Sequence, residues 1–574
     1  MMMQPFNYHY FIGYVSQVTP QYVKIHFPSS TLLSKFIFSG EEFNGGLVGT
    51  YISIEGENYG FVGQLQEIEV PEKERLSLSE TAFKNQEFHP TAKAEILLSF
   101  NLFDMGKVTK GANVYPTIGA KVFVCTKEFV QRYVQGFGQK RKEELLINIG
   151  YLNSDNQTEV TLSQQSFFGR HCAVVGTTGG GKSWSLSKLI EEARKNNTKC
   201  ILLDPTGEYA SYQGDHCILA DNSYFSYRKL AISDLFFLLK PSERAQAPKL
   251  LEAIKTLKTL KIARKQGELD CYFPNGEAKN YLLKAGKDKR EFIQMQRKYY
   301  EEIDSNELDF DIKYLPRQLQ CECVWEVDNR DSNLWGGKSE TDSANCISLV
   351  TRTNAFVNDK NYKNILGIGD VNGKIDIAEA ITKFMSPENK ETLLRIGFEK
   401  VGYDFNVREI IANALAKYLL NLARDKTFKE HPTIFFLDEA HQFLNKRVTD
   451  DSFTSYSLNA FDQIAKECRK YGLFLCIATQ MPRDIPVGTL SQMGTFLVHR
   501  LINYNDKEAI KQSCATANSS TLAYLPILGE GEAILTGVDF PMPLLLKVSP
   551  PVNKPDSATP QFKLTTGRIL ESKF

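Results

Sequence analysis

Gly176-Thr-Thr-Gly-Gly-Gly-Lys-Ser183 constrains this chain more than any other stretch. It fits the pattern G-x-x-x-x-G-K-[ST] of a P-loop. The apolar run 172–175 precedes it as a strand, and the amphipathic run Trp184-Ser-Leu-Ser-Lys-Leu-Ile190 follows it as a helix. The glycines let the backbone wrap so that several N–H groups face one phosphate, and the start of the helix adds a partial positive charge there. Lys182 can reach the β- and γ-phosphates, and the Ser183 hydroxyl can ligate Mg²⁺. The nucleotide-holding set is therefore Gly176, Thr178, Gly179, Gly180, Gly181, Lys182, Ser183 and Trp184. The competing explanation is a plain glycine-rich turn, and the strand and helix flanks argue against it.

A second motif strengthens the case. In Thr433-Ile-Phe-Phe-Leu-Asp-Glu-Ala-His441, four apolar residues form a strand that delivers Asp438 and Glu439 to its carboxyl end. Asp438 can hold the water shell of a Mg²⁺ shared with Ser183. Glu439 is placed to orient or deprotonate an attacking water. An isolated Asp-Glu pair would mean little, but together with a P-loop it defines a site that hydrolyses ATP.

Other polar residues gather at the same expected sheet edge. Lys199-Cys-Ile-Leu-Leu-Asp-Pro-Thr-Gly-Glu-Tyr209 is a buried parallel strand that ends in a turn. Ligands bind at such carboxyl ends, so Asp204 and Glu208 are candidates for the nucleotide and metal neighbourhood, or simply build the turn. The strand Leu473-Phe-Leu-Cys-Ile-Ala-Thr-Gln480 brings Thr479 and Gln480 to that edge, to sense the γ-phosphate or only to end the strand. Arg469, just before this strand, is a cation for phosphate charge or a solvated arginine. Arg170 precedes Lys182 by twelve residues. It cannot easily reach its own nucleotide, and a structural salt bridge is the plain alternative.

The chain has 574 residues, too many for one hydrophobic core, so two or three domains are expected. Hydrophobic residues at 42% and charged residues at 24% are those of a folded protein. Basic and acidic residues number 68 each, so any nucleic-acid surface must be a local patch or a pore lining. No apolar run reaches the length of a membrane span, and no signal peptide precedes the chain. The 11 cysteines lack metal-ligand spacing, with Cys321-Glu-Cys323 the closest pair. Zinc is not expected, and reduced thiols in a cytoplasm are.

Residues 1–135 alternate in short strands such as Phe11-Ile-Gly-Tyr-Val-Ser-Gln-Val18 and Tyr22-Val-Lys-Ile-His-Phe27, with Thr19-Pro20 as the turn between, and predict a small β-barrel. Nothing in them looks catalytic. Residues 136–165 read as a charged linker with a strand pair near Leu146 and Val160. The ATPase core is expected over 136–230 and again over 431–550. Residues 231–430 read as mostly helical. Within them, 262–345 is a charged surface insertion whose lysines either lie on a solvated helical face or touch nucleic acid. Gly529-Glu-Gly-Glu-Ala-Ile-Leu-Thr-Gly537 reads as a hairpin-like or edge strand, Pro541 onward as a tail, and 551–574 as the C-terminal tail.

The set G-T-T-G-G-G-K-S, D-P-T-G-E-Y, F-F-L-D-E-A-H, E-C-R-K-Y-G and C-I-A-T-Q resembles the HerA family, of the HerA/FtsK branch of RecA-like ATPases. Gly13-Tyr-Val15 and Val62-Gly-Gln-Leu65 are similar to the barrel of that family, and the closing G-E-G-E-A-I-L-T-G also fits. The likeness covers roughly residues 8–550, apart from the insertion. It implies an α/β RecA-like core of mostly parallel sheet, with an N-terminal barrel and an inserted helical region. It further implies a homohexameric ring with ATP and Mg²⁺ at subunit interfaces and double-stranded DNA in the pore. Carried over by position, Lys182 and Ser183 bind nucleotide and metal, and Asp438 and Glu439 form the acidic pair. Arg170 and Arg469 act on the neighbour's ATP, and Gln480 senses it. The implied partner is a NurA-type nuclease in DNA end processing, or a nuclease or sirtuin-like NAD hydrolase in anti-phage defence. The unmatched insertion favours the defence setting. Two readings compete with a DNA motor: an assembly platform that holds and activates an effector, and a conjugation or secretion ATPase docked on a channel.

Overall fold

The computed structural model describes residues 5–20, 22–38, 40–71, 88–103, 108–109, 114–154, 156–268, 280–402, 406–444, 458–514 and 519–557. The alternating front of the chain folds as its period of two dictates. Strands β1 (Phe11–Val18), β2 (Val23–His26), β3 (Tyr51–Glu55), β4 (Tyr59–Glu69), β5 (Thr91–Asn101) and β6 (Lys121–Val124) pair antiparallel in the order β2-β1-β6-β3-β4-β5. A β2–β5 ladder closes the ring, so it leaves no open edge. Ile12, Ile25, Ile52, Phe61, Ala94 and Val122 fill its interior. Thr19 and Tyr22 close the β1–β2 turn as expected.

The second sheet has eleven strands. Strands β7 (Leu146–Leu152), β8 (Glu159–Ser163), β9 (Cys172–Val175), β10 (Lys199–Asp204), β11 (Asp215–Ile218) and β12 (Leu393–Gly397) are joined by β13 (Thr433–Leu437), β14 (Leu473–Thr479), β15 (Thr495–Val498), β16 (Glu532–Gly537) and β17 (Leu544–Val548). Their order is β8-β7-β17-β16-β15-β9-β14-β13-β10-β12-β11. From β15 to β11 all pairings are parallel. From β15 outward to β8 all are antiparallel. The helices α1 (Lys182–Lys195), α2 (Gln246–Lys265), α3 (Glu340–Asn358), α4 (Val407–Arg424) and α5 (Ala460–Glu467) connect and flank these strands. The parallel strands are buried and read as unbroken apolar runs. This is a RecA-like P-loop core carrying an antiparallel extension, with a barrel at its amino end.

The structure sharpens or corrects four expectations. The strand pair beside the charged linker, β7 and β8, lies in the large sheet, within the 136–230 expected for the core. Of the two readings of 529–537 the hairpin holds and the edge does not: β16 pairs antiparallel with the next strand, β17, and lies between it and β15, and β17 falls in what read as the tail, where Pro541 and Pro543 obscured Leu544, Leu546 and Val548. The stretch 231–430 is mostly helical and also delivers β12 to the parallel sheet. That strand is five residues long and fully buried, yet it has Arg395 at its centre. The guanidinium is neutralised inside the protein by Asp204 at 2.7 Å and Glu399 at 2.9 Å.

The insertion is the fourth. It has its own small core of Leu282, Phe292, Met295, Val324 and Trp335, packed on Leu260 and Ala263 of α2. Lys284 is not on a solvated face: it is buried, paired with Glu322, and sits over the rings of Phe292 and Trp335 at 5.1 and 5.3 Å. A polar outer surface hid an apolar stripe that only a few residues provide. Among the described residues, no helix is long and apolar enough to cross a membrane. Residues 558–574 of the expected tail lie outside the described residues.

Arg395→Ala would leave Asp204 charged and buried without its partner. It is expected to destabilise the core by about 3–5 kcal/mol, measured as a lower denaturant midpoint. Loss of the solvated Lys121–Glu55 pair, at 3.6 Å, is expected to leave that midpoint essentially unchanged.

Candidate nucleotide site

The P-loop joins β9 to α1. Gly181 is the residue before the helix and has φ +99°, which a side chain would strain. Gly176 is required for a different reason: a Cβ there would come within 2.6 Å of the Cβ of His499. His499 is fully buried under the loop. Its Nδ1 lies 2.8 Å from the Glu532 carbonyl and its Nε2 lies 2.8 Å from the Ser185 hydroxyl. A carbonyl only accepts, so Nδ1 carries the proton and Nε2 accepts from Ser185. Burial pushes the ring's pKa down to about 4. The Thr177 N–H donates to the Arg500 carbonyl at 3.0 Å, and the Gly531 N–H donates to the Gly180 carbonyl at 3.3 Å. The antiparallel extension thus braces the phosphate loop from behind.

In front of the loop, Lys182 is buried and bridges both acidic residues, with Nζ 3.2 Å from Asp438 and 2.9 Å from Glu439. Burial disfavours its charge, but the two carboxylates outweigh burial and raise its pKa. Asp438 also accepts from the Tyr209 hydroxyl at 3.1 Å. Glu439 accepts from the Gln480 side-chain amide, and Gln480 in turn accepts from the Thr178 hydroxyl. His441 lies 3.3 Å from the other Glu439 oxygen. Glu439 is itself left-handed, with φ +43°, a conformation that costs energy and clusters at active sites. One network therefore joins the P-loop, the acidic pair and the Gln480 position.

The sequence-predicted residues divide on this geometry. Lys182, Asp438, Glu439, Gln480 and Thr178 meet directly. Asp204 does not join them. It accepts from the N–H groups of Thr206, Gly207 and Tyr209 and from Arg395, and so builds the turn. Glu208 does join: its carboxyl faces the Ser183 hydroxyl and Asp438, and burial and then Asp438 push its pKa up to about 7. One oxygen each of Glu208 and Glu439 is buried without a hydrogen-bond partner. Mg²⁺ takes one or two protein oxygens and fills its octahedron with water and phosphate oxygens. Among the described residues no cluster of three His, Cys, Asp or Glu could hold a metal unaided. Ser183 and Asp438, with Glu208 beside them, are hard oxygen donors that fit such a partial shell.

Arg170 and Arg469 stand apart. Arg170 donates to Asp539 at 2.6 Å, the salt bridge weighed above. It lies at the amino end of β9, and both arginines line one cavity of about 320 Å³ with His171 and Lys466. Tyr209 and His441 fall inside motifs already noted, but their contacts with the acidic pair were not foreseen. His499 has no sequence signal, because its role depends on β15 passing behind the loop.

His171, also buried, has its pKa pushed down to about 4. Both rings are neutral when folded but titrate near 6.5 when unfolded. The unfolded chain therefore binds the extra protons between these values. Their stabilising share is present above pH 6.5 and is lost as the pH falls towards 4, by at most about 3 kcal/mol each. Melting temperature against pH should show this slope, and His499→Gln should flatten it.

A family model described as "Helicase HerA, central domain" matches residues 147–319, and one described as "Helicase HerA-like C-terminal" matches residues 424–557. The first runs well into the segment set apart above as an unmatched insertion. The chain is 25% identical over 443 residues to a probable helicase of Methanocaldococcus jannaschii, covering 76% of this chain and 75% of the relative. It is 24% identical over 407 residues to the DNA double-strand break repair helicase HerA of Saccharolobus solfataricus, covering 70% and 68%. A solved structure of the bacterial conjugative coupling protein TrwB aligns over 76% of this chain and 94% of its own, with a TM-score of 0.42 at 11% identity.

Proposed function

The chain belongs to the HerA family, and on that premise we propose that six copies form a ring, each hydrolysing Mg²⁺·ATP in a pocket that its neighbour completes, to move duplex DNA through the pore. It is a HerA-type P-loop ATPase of the translocase and helicase class. In this reading Lys182 exchanges the two carboxylates for the β- and γ-phosphates, one set of negative charges for another. Ser183 and Asp438 carry the metal and its water. Glu439 takes the proton of the attacking water, and Gln480, bonded to both Glu439 and Thr178, relays whether a γ-phosphate is present. The metal lowers the charge on the transferring phosphoryl group.

The position of Arg170 and Arg469 is the observation that carries this reading. They share a cavity at the amino end of β9, whereas the P-loop leaves its carboxyl end. A four-residue strand of about 3.3 Å per residue puts about 13 Å between the two ends. In this reading both guanidinium groups are out of reach of their own ATP, and Arg170 exchanges its Asp539 partner for a neighbour's phosphate. The acidic pair, with its charge-holding network, belongs to the other half of that shared pocket.

The effector that works with the ring is a nuclease or an NAD hydrolase. The ground for preferring a defence setting over DNA end processing narrows, since a HerA model covers most of the insertion. The alternative platform function is favoured by the equal count of 68 basic and 68 acidic residues.

Lys182→Ala and Glu439→Gln are each expected to lower ATP turnover by at least about 10³-fold, as steady-state phosphate release will measure. Arg170→Ala is expected to bind ATP normally and fail to hydrolyse it. Mixing it with Lys182→Ala subunits should restore part of the activity, and no recovery at any ratio would remove the shared pocket. A motor's DNA affinity should fall steeply with salt, whereas a flat dependence would favour the platform.

A further inference from the structure

Residues 549–557 leave the sheet after β17 and turn back across the P-loop helix. Glu191 of α1, only 7% exposed, holds them. One of its oxygens accepts the Val552 N–H at 3.0 Å and the other accepts the Asn553 N–H at 2.5 Å. The Tyr212 hydroxyl donates to the Asn553 carbonyl at 2.8 Å, and the Asp556 N–H donates to the Glu208 carbonyl at 2.8 Å. Pro551 and Pro555 are buried, while Lys554 between them is exposed. Trp184, Ser187 and Glu191 recur at three and four residues on one helix face, so the segment runs along α1 towards its start. There the Lys554 ammonium lies 5.8 Å from the centre of the Trp184 ring, within cation–π range.

The ring is nevertheless 37% exposed. Trp184 directly follows Ser183, at the helix start where a bound nucleotide continues from its phosphates to its sugar and base. A buried carboxylate with both oxygens committed to main-chain N–H groups fixes the segment to the same helix that holds the phosphates. An exposed indole there, with a cation from the segment over it, has the form of a stacking wall.

We propose that residues 549–557 are a strap, carried on the P-loop helix by Glu191, that sets the Trp184 indole as the stacking wall for the purine base. Lys554 is a positioning residue that clamps the indole from the strap. The inference rests on the ATP site described above. A base stacked on an aromatic ring is worth about 5- to 150-fold in affinity. The strap therefore acts on nucleotides and not on bare phosphates.

Calorimetry of Mg²⁺·ADP and of inorganic triphosphate on the full chain tests this. Trp184→Ala is expected to weaken ADP binding about 10-fold or more and to leave triphosphate binding within 2-fold. Trp184→Phe should keep most of the affinity but lose the ADP-induced change in indole fluorescence. Lys554→Ala and Glu191→Ala should each weaken ADP about 3-fold, with no further loss when combined, because both act through one strap. Lys554→Arg should restore it. Since Lys554 is exposed, its variants do not endanger the fold. Unchanged ADP affinity in Trp184→Ala or Lys554→Ala, or equal loss for triphosphate, overturns the strap. If Lys182→Ala binds both ligands as well as the unaltered chain, the ATP site itself is at fault.

Discussion

A lysine charge buried between two carboxylates holds the centre of this molecule together. Lys182 belongs to the helix after β9, and Asp438 and Glu439 follow β13. A buried ammonium is costly unless paired, so these elements can fold around it only if the carboxyl ends of their strands meet. Parallel pairing of β9, β14, β13 and β10 makes them meet. The same edge then collects Gln480 from β14 and Tyr209 and Glu208 from the turn after β10. The arrangement that neutralises the lysine is also the one that receives a phosphate, because a γ-phosphate offers the same ammonium an equivalent partner.

The rest of the fold steadies that edge from two sides. Behind it, the antiparallel strands from β15 to β17 carry His499 and Gly531 against the phosphate loop. The loop therefore has a floor of fixed hydrogen bonds. On the far side, Arg395 sits in the middle of β12 and ties Asp204 to Glu399, which shapes the turn that presents Glu208. Neither device touches a phosphate, but each restricts where the backbone near it can go. The two arginines lie at the opposite end, separated from this edge by the length of β9.

Much of the site was legible because its chemistry is local. A loop that wraps a phosphate needs glycines, a lysine and a hydroxyl in a short run, and an acidic pair at a strand end needs an apolar run before it. The barrel was legible through its period of two. Where meaning depended on distant partners, the residues misled. Asp204 and Glu208 looked equivalent, and only the fold gives Asp204 to a turn and sets Glu208 beside Ser183 and Asp438. Arg395 and Lys284 are core charges whose partners Asp204 and Glu322 lie far along the chain, so no local pattern shows that they are buried. The strand β17 was hidden between prolines, and the apolar core of the insertion was too sparse to show a period.

The sequence by itself determined the phosphate loop, the acidic pair and the family to which both belong, because each is written in contiguous residues whose physical roles need no other part of the chain. Tertiary structure alone decided which strand lies beside which and therefore which charges neutralise each other. It placed His499 under the loop, brought residues 549–557 onto the P-loop helix, and tied Arg170 to Asp539. The reason is that burial, unlike spacing, depends on the whole chain: whether a charge is solvated or paired is settled only when the sheet closes around it.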